Sequence, residues 1–353
     1  MTDAPGIPRR SSEINLSWLN QVLSPPTPIV NYQSDIIGGG AGVLGELSRV
    51  KLTYAEGEPG PASVVAKFAS PVPEARQLAG GLGLYEMESR FYAEINDQVG
   101  ITIPTCYFNS FDAETQYSTL LLSDVQGKVA DQVEGCSADQ AAVALRNIAR
   151  VHAYGTVAIS QNPWLREWTE PAWIAFAKAS LEANAPVSMD RMSDVCPPWL
   201  VDLAPTLHDH FADLAAQLMA CGQTMIHGDL RADNLVFNAS GEMTLLDWQL
   251  VFRAPGAFDV AYLLTQSLTI EDRRQHETEL IGEYRSVLES QGGLFDQELF
   301  ERAFRIATLS CLAYPLQAGA VIDENFERSQ LLATAMLTRS CAAIEDYHCL
   351  DLL

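Results

Sequence analysis

The sequence predicts a two-lobed α+β fold, in which a small antiparallel-sheet lobe precedes a mainly helical lobe. Two observations support this class. The residues after Gly45 alternate apolar and polar side chains with period two, and further strand-like segments follow in the first third of the chain. Beyond Gly127 no strand pattern recurs until a short hairpin at residues 235–247, and helical periodicity prevails. We therefore expect one domain at residues 1–125 and a second at residues 126–353.

Composition narrows the classes of function. The chain has 353 residues, 48% of them hydrophobic, so it can bury a full core. Its formal net charge of −23 leaves no basic footprint for nucleic acid. The same charge repels anionic membranes and favours a neutral or cationic small-molecule partner, with an acidic surface that serves only solubility as the alternative.

Cysteine usage and hydropathy bear on location. The seven cysteines are scattered and include no C-x-x-C pair, which indicates reduced thiols in a cytoplasmic protein. The first residues lack the charged and apolar pattern of a signal peptide. The uncharged run at residues 306–322 is shorter than the ~20 residues of a membrane span. We predict a buried helix there, interrupted at Pro315.

A glycine-rich segment opens the predicted sheet, after a short helix expected at residues 11–23. Gly40, Gly42 and Gly45 form G-x-G-x-x-G, a motif that also occurs in dinucleotide-binding folds and in plain flexible loops. Here a strand pattern follows the glycines, whereas a dinucleotide-binding unit would continue as a helix. A glycine loop between two strands is the arrangement that covers ATP phosphates in kinases.

The next predicted strand carries a lysine among apolar residues. Lys67 is costly to bury without a partner, unless it lies on an edge strand and faces water. Residues 84–99 have helical periodicity, and Glu88 shares the apolar face of that helix with Leu84 and Phe91. We therefore expect a buried Lys67–Glu88 pair, and we expect Glu86 to lie on the opposite, solvated face.

Helices dominate the region from Gly127 to the hairpin. A capping box at Ser137 precedes a helix on whose apolar face His152 falls, and we interpret His152 as a hydrogen-bonded core residue. A second helix is expected from residue 170. Three tryptophans near it could be core or could wall a substrate pocket, and we favour core: Trp164, Trp168 and Trp173.

The most informative stretch is residues 225–249. Asp229 and Asn234 lie on one loop, and the hairpin that follows returns Asp247 beside them. Asn234 and Asp247 offer oxygen ligands of the kind that Mg²⁺ takes together with substrate phosphates. Asp229 is then left to receive the proton of an incoming hydroxyl, which is the division of labour in phosphoryl transfer. A hairpin that merely carries Asp and Asn in its turns is the alternative.

The motifs H-G-D-L-R-A-D-N-L-V-F, then L-L-D-W-Q, then P-x-x-x-D-x-A-Y-L resemble the aminoglycoside phosphotransferase and choline kinase superfamily, most closely its ecdysteroid-kinase-like branch. The resemblance runs from about residue 37 to residue 284 and is weakest at residues 162–224. It implies a protein-kinase-like fold with ATP bound between the lobes, and it implies transfer of the γ-phosphoryl group of Mg-ATP to a hydroxyl of a small molecule.

The resemblance also assigns residues. It gives the α- and β-phosphates to Lys67, oriented by Glu88, and adenine to backbone groups of the segment that contains Ser123 and Val125. Ser123 stands where the family often has Glu, which backbone recognition tolerates. Asp259, in the third motif, would brace the loop of Asp229, although its position also suits a helix cap. We expect His227 to brace the same loop.

Two departures from protein kinases concern the acceptor. The metal Asp lies in D-W-Q rather than D-F-G, and Pro255 follows Asp247 too soon for an activation loop. Both argue for a small acceptor, and aminoglycoside, choline-like, sugar, steroid and lipid alcohols all remain open. We expect it to be neutral or cationic and to lie against residues 162–224 or the last helices. A nucleotide-binding protein without transfer activity is the rival interpretation, and a protein kinase is a second.

Overall fold

The computed structural model describes residues 6–37, 44–321 and 327–353. The chain divides into two compact units. The first comprises Met1–Asp97 and Thr102–Gln126, and the second comprises Gln98–Ile101 and Gly127–Leu353. Among the helices in these described ranges, none combines the length and the apolar character that crossing a membrane requires.

A five-stranded antiparallel sheet forms the first unit. Its strands are β1 (Ile29–Ile37), β2 (Gly45–Tyr54), β3 (Ser63–Ala69), β4 (Cys106–Asp112) and β5 (Tyr117–Ser123), in the spatial order β1-β2-β3-β5-β4. In β2, Val50 is buried between exposed Arg49 and Lys51, so the predicted alternation does turn one face of the sheet to a core. That core also contains Trp18 and Leu121.

In the described part of the first unit, the α-helices that accompany the sheet are α1 (Leu16–Leu23), α2 (Pro73–Gly81) and α3 (Leu84–Arg90). Helix α1 begins after Asn15, whose side chain accepts a hydrogen bond from the Trp18 N–H. Helix α3 continues as a π-helical turn at Phe91–Ile95 and then as a 3₁₀ turn. The helix predicted at residues 84–99 is therefore present, but only its first part is α-helical.

The second unit is mainly helical, which together with the sheet of the first unit confirms the predicted α+β class. Its helices are α4 (Ala138–Gln161), α5 (Pro171–Arg191), α6 (Pro198–Leu203), α7 (Leu207–Met219), α8 (Ala257–Ser267), α9 (Ile270–Ser290), α10 (Gln297–Ser310), α11 (Ala313–Ala320) and α12 (Glu327–Asp346). The predicted capping box is present at the start of α4, where Ser137 and Gln140 bond each other's backbone N–H groups.

Five short strands complete the second unit. They are β6 (Lys128–Val129), β7 (Thr224–Ile226), β8 (Leu235–Phe237), β9 (Met243–Leu245) and β10 (Phe252–Ala254). The hairpin β8–β9 was predicted and carries β6 on its edge, whereas β6, β7 and β10 were not predicted. The residues of β7 are all buried, so β7 has no alternation from which a strand could be recognised.

Two further expectations are settled by the fold. The uncharged run at residues 306–322 breaks at Cys311 and Leu312, not at Pro315, which lies in the first turn of α11 where a missing N–H costs no helical hydrogen bond. Trp168 and Trp173 are only 2% and 8% exposed, and Trp168 packs against the ring of Phe258 at 4.4 Å. These two tryptophans are therefore core.

Candidate active site

The first unit contains the expected ion pair. Lys67 of β3 places its Nζ 2.7 Å from Oε1 of Glu88 on α3, and the two side chains are 16% and 4% exposed. Glu88 is buried together with Leu84 and Phe91, as the helical periodicity predicts. Glu86 lies on the wetter face, with its side chain 39% exposed. The pairing is therefore confirmed, while its role toward phosphates stays a prediction.

The structure gives backbone positions, but no contact with a nucleotide, for the other described residues predicted to bind nucleotide in the first unit. Gly40 and Gly42 lie outside the described residues. Gly45 pairs with Ala69, and a Cβ there would lie 2.8 Å from the Phe68 carbonyl oxygen, so sheet packing by itself requires glycine. The N–H of Ser123 donates to the Thr105 carbonyl at 2.8 Å. Val125 follows just beyond the end of β5.

In the second unit, strand β7 leads into residues 227–234, which we term the HGD loop. His227 at its start is fully buried. Its Nε2 donates to the carbonyl of Leu246 at 2.8 Å, and its Nδ1 accepts the N–H of Asp229 at 3.2 Å. This pattern places the ring proton on Nε2. The imidazole therefore ties the HGD loop to the end of β9, which is the bracing role expected of it.

The turn at Gly228 explains the glycine of the H-G-D motif. Gly228 has φ of 79°, and a Cβ there would lie 2.1 Å from the carbonyl oxygen of Leu250. An L side chain is disfavoured at that φ and also has no room. The backbone can therefore reverse between His227 and Asp229 only because residue 228 is glycine.

Asp259 on α8 bonds the backbone of the HGD loop. Its fully buried carboxylate accepts the N–H of His227 at 2.7 Å on Oδ2 and the N–H of Gly228 at 2.9 Å on Oδ1. The expected bracing role is therefore present. Asp259 also lies in the first turn of α8, the place that helix capping predicts, but its carboxylate bonds the loop backbone.

A buried histidine and a buried tyrosine fix that carboxylate in turn. His152 of α4 donates from Nε2 to Asp259 Oδ2 at 3.0 Å, and the Tyr284 hydroxyl of α9 donates to His152 Nδ1 at 2.9 Å. Burial raises the pKa of Tyr284, and the charge of Asp259 raises it further, so the phenol keeps its proton. His152 is thus the hydrogen-bonded core residue that the sequence indicated.

Asp229 and Asn234 are joined within the HGD loop. The residues Ala232–Asn234 form a 3₁₀ turn, which brings the Asn234 side chain back toward Asp229. Asn234 Nδ2 donates to the backbone carbonyl of Asp229 and to its Oδ2, both at 2.9 Å. Because Nδ2 is committed twice, the amide oxygen Oδ1 is the atom that Asn234 can offer to a cation.

The β8–β9 hairpin brings Asp247 to the same place. The N–H of Leu246 donates to the carbonyl of Asn234 at 2.9 Å, and Asp247 is the next residue. Asp247 has φ of 62° and ψ of 75°, a left-handed conformation that costs a non-glycine residue about 1–3 kcal/mol and is concentrated at functional sites. The hairpin therefore bonds the residue before Asp247 to the backbone of Asn234, while the shared metal role of Asn234 and Asp247 remains a prediction.

The donor set of Asn234 and Asp247 suits one class of cation. Within the described ranges, no group of three or more His, Cys, Asp or Glu side chains is arranged to hold a metal ion by itself. A carboxylate and an amide oxygen are hard ligands, and Mg²⁺ is commonly held by one or two such groups together with substrate phosphates. The residues present therefore fit Mg²⁺ that arrives with a nucleotide.

Arg231 is a site residue that the sequence reasoning missed. Its Nε lies 3.2 Å from Asp229 Oδ1, and its Nη1 donates to Asp233 Oδ2 at 3.0 Å. Burial lowers the pKa of this guanidinium, but neighbouring negative charge, above all that of Asp229, outweighs burial and raises it. The signal was available, because the D-x-R-x-D sequence places this cation within two residues of two carboxylates.

Tyr314 was also missed. The first turn of α11 places its hydroxyl so that it donates to the Gly228 carbonyl at 3.2 Å, and its ring stacks on buried Tyr262 with centroids 4.5 Å apart. Helix α11 lies far along the chain from the HGD loop, so no local pattern could have associated them.

Similar structures share this architecture. Choline kinase from Cryptosporidium parvum Iowa II matches at TM-score 0.54 and 12% identity, over 92% of this chain and 93% of that one. The amicoumacin kinase hAmiN, in complex with AMP-PNP, Ca²⁺ and Ami, matches at TM-score 0.54 and 14% identity, over 89% and 88%. An aminoglycoside-3'-phosphotransferase of type VIII matches at TM-score 0.50 and 19% identity, over 79% and 93%. At these identities the likeness confirms the protein-kinase-like fold.

A family model supplies the sequence comparison. No curated protein sequence matches the chain significantly. The model of the ecdysteroid kinase-like family matches residues 39–293, which include Lys67, Glu88 and the whole HGD loop with its hairpin. The motifs that resemble this family are thus confirmed as a match over well more than half of the sequence. The chain belongs to the ecdysteroid kinase-like family.

Proposed function

We propose that the chain is an ATP-dependent small-molecule kinase that transfers the γ-phosphoryl group of Mg-ATP to a hydroxyl of its acceptor. The observation that carries the proposal is the way in which Asn234 uses its two side-chain polar atoms in the HGD loop. Asn234 commits its amide nitrogen to Asp229 and keeps its amide oxygen, and Asp247 directly follows Leu246, whose N–H bonds the Asn234 carbonyl. One carboxylate is thereby separated from a pair of metal-type oxygens, as phosphoryl transfer requires.

The proposed chemistry follows from that division. Asp229 accepts the proton of the acceptor hydroxyl as the acceptor oxygen bonds to the γ-phosphorus. The bond from the γ-phosphorus to the bridging oxygen breaks, and ADP departs. Asn234 Oδ1 and the carboxylate of Asp247 would hold Mg²⁺, which when bound neutralises charge on the β- and γ-phosphates.

Nucleotide recognition is assigned to the first unit. Lys67, held by Glu88 at 2.7 Å, would meet the α- and β-phosphates. The backbone near Ser123 and Val125 would meet adenine, and the backbone of the glycine segment would meet the phosphates: Gly40, Gly42 and Gly45. The amicoumacin kinase of similar fold was solved with AMP-PNP, which supports a nucleotide site in this chain.

The acceptor is proposed only as a class. Relatives in fold act, by their names, on choline, amicoumacin and aminoglycosides, so an amine-bearing alcohol is the first candidate. Sugars and steroid or lipid alcohols are the others. The scattered thiols, all free in the structure, support a cytoplasmic location.

An acceptor screen tests the proposal. Purified protein with Mg-ATP is assayed for ADP release against a panel of amino alcohols, aminoglycosides, sugars and sterols, with Asp229→Asn as the matched inactive control. We expect at least one compound to raise ADP release in the wild type and not in the variant. Release that is equal in both proteins would contradict the assignment of Asp229.

The rival functions need separate assays. A binding protein without transfer activity would be stabilised against heat by Mg-ATP yet would never release ADP. A protein kinase would label generic protein substrates from radioactive ATP, which we do not expect because only residues 248–254 separate Asp247 from Pro255.

A further inference from the structure

The two carboxylate oxygens of Asp229 have different surroundings. Oδ2 accepts Asn234 Nδ2 at 2.9 Å and lies 3.4 Å from Arg231 Nε. In the part of the chain that the structure describes, Oδ1 accepts no hydrogen bond like the one from Asn234 to Oδ2, and its contact is the ion pair with Arg231 Nε at 3.2 Å. Oδ1 is therefore the oxygen with free acceptor capacity.

The position of Arg231 explains this difference. An arginine beside a carboxylate commonly forks onto both oxygens through two parallel N–H bonds. Arg231 offers Asp229 its Nε only, because its Nη1 donates to Asp233 Oδ2 at 3.0 Å. The guanidinium is thus shared between two carboxylates and cannot fork onto either.

Asp233 is itself anchored from two other segments. Its Oδ1 accepts the backbone N–H of Gln132 and an Nη2 hydrogen of Arg328, both at 3.1 Å. Gln132 is fully buried, and its side chain accepts the N–H of Ala232 at 2.7 Å, within the HGD loop. Asp233 is therefore a fixed support, with only 19% of its side chain exposed, rather than a mobile surface carboxylate.

We propose that Arg231 and Asp233 are a positioning pair that keeps Oδ1 of Asp229 free to receive the acceptor proton. This inference rests on the proposed kinase function and names the accepting atom. Asp233 restrains Arg231, and Arg231 fixes the orientation of the Asp229 carboxylate through Nε. In the transfer step the acceptor O–H bond breaks toward Oδ1, as the acceptor oxygen bonds to the γ-phosphorus and ADP leaves.

The structural test is the crystal structure of Asp233→Asn. The neutral amide holds Arg231 more weakly, so we expect the guanidinium to turn and to place Nε and an Nη nitrogen within 3.2 Å of the two Asp229 oxygens. If Arg231 still contacts Asp229 through Nε alone in this variant, the proposal is overturned. This readout needs no acceptor and no activity.

The kinetic test compares Asp233→Asn with a double variant. Asp233→Asn should lower kcat for ADP release about 10- to 100-fold, a share of the 10²–10⁴ that a positioned base contributes. It should leave the Kd for Mg-ATP within about twofold, because phosphates are assigned to other residues. Adding Arg231→Met removes the obstructing guanidinium, so the double variant should be faster than Asp233→Asn by about fivefold or more. A purely structural Asp233 predicts a double variant that is no faster.

Asp351→Asn supplies the matched control, since this Asp is 78% exposed and lies 4.0 Å from Arg305. It should keep wild-type kcat. Melting curves of every variant establish that each is folded.

If Arg231 turns onto Asp229 in the crystal while even the wild type releases no ADP, the kinase proposal fails and the restraint by Asp233 stands. If the wild type is active and Asp233→Asn equals it, the positioning pair fails alone.

Discussion

At the scale of the residue, several side chains of the candidate site are fixed by more than one hydrogen bond. Asn234 bonds Asp229 twice, Asp259 accepts two backbone N–H groups and a histidine, and His227 bonds through both ring nitrogens. Polar groups with several fixed partners lose little freedom when a substrate binds. We attribute the preorganisation of the site to these paired contacts.

Replacement of Glu88 tests the Lys67 pairing. Glu88→Ala leaves the Lys67 ammonium without this carboxylate, so we expect a higher KM for ATP, a lower kcat and a lower melting temperature, because breaking a buried pair costs about 3–5 kcal/mol. Glu86→Ala removes a half-exposed carboxylate worth about 0–1 kcal/mol and should be nearly silent. Steady-state kinetics in which the two variants behave alike would refute the pairing role.

Tyr284 predicts a loss of stability in alkaline solution. Its folded pKa is raised above the ordinary value of 10.0, mainly by burial, so the folded state holds a proton that the unfolded state releases. The contribution of protonated Tyr284 to the free energy of unfolding is complete below pH 10. Above pH 10 it falls by about 1.4 kcal/mol for each pH unit. Tyr284→Phe should cost about 1 kcal/mol at pH 8 through the lost bond to His152. Urea unfolding at pH 8–11 should show a shallower decline in the variant, and identical slopes would count against this account.

At the scale of the element, the HGD loop is held by secondary structure from both sides. Strand β7 delivers it, the β8–β9 hairpin closes it, and α8 supports it through Asp259. The hairpin could be predicted because its strands flank a turn-forming sequence, and the contents of the loop could be predicted because Asp229 and Asn234 are close in sequence.

Other elements could not be predicted, for physical reasons. Strand β7 is three residues long and buried throughout, so it lacks the alternation that reveals a strand. The left-handed backbone of Asp247 is uncommon for a residue with a side chain, so sequence patterns do not indicate it. The contact of Tyr314 with Gly228 joins segments far apart in sequence, and only tertiary structure brings them together.

Asp259→Asn tests the support from α8. The amide keeps one acceptor oxygen but turns an NH₂ group toward a backbone N–H, so we expect a loss of about 1–3 kcal/mol in the free energy of unfolding. Asp296→Asn is the control, because its side chain caps α10 by accepting the Leu299 N–H and asparagine caps equally well. If both variants lose the same amount of melting temperature, the bonds from Asp259 to the HGD loop contribute no more to stability than an ordinary helix cap.

At the scale of the whole molecule, charge is the dominant property. With 45 Asp and Glu residues against 22 Lys and Arg, the net charge is −23. The field of such a chain raises the local concentration of cations and lowers that of anions. Lys67, the proposed phosphate contact, lies in the sheet unit, and Asp229, the proposed base, lies in the helical unit.

The charge predicts the preferred acceptor. We expect kcat/KM to be higher for a neutral or cationic alcohol than for its phosphorylated or carboxylated analogue, and the difference should shrink at high salt because screening weakens long-range attraction. Paired alcohols that differ only in that group, assayed by ADP release at two ionic strengths, provide the measurement. A preferred acceptor that carries a phosphate or a carboxylate would contradict this expectation.

The most direct test of the central claim is calorimetric titration of Mg-ATP into two variants. Asp229→Asn removes the proposed base, so Mg-ATP affinity should stay near wild type while kcat falls by about 10²–10⁴. Asp247→Asn removes a proposed metal ligand, so affinity and kcat should both fall, and raised Mg²⁺ should partly restore binding. If Asp229→Asn abolished Mg-ATP binding while Asp247→Asn spared it, the two roles would be reversed and the proposed mechanism would be wrong.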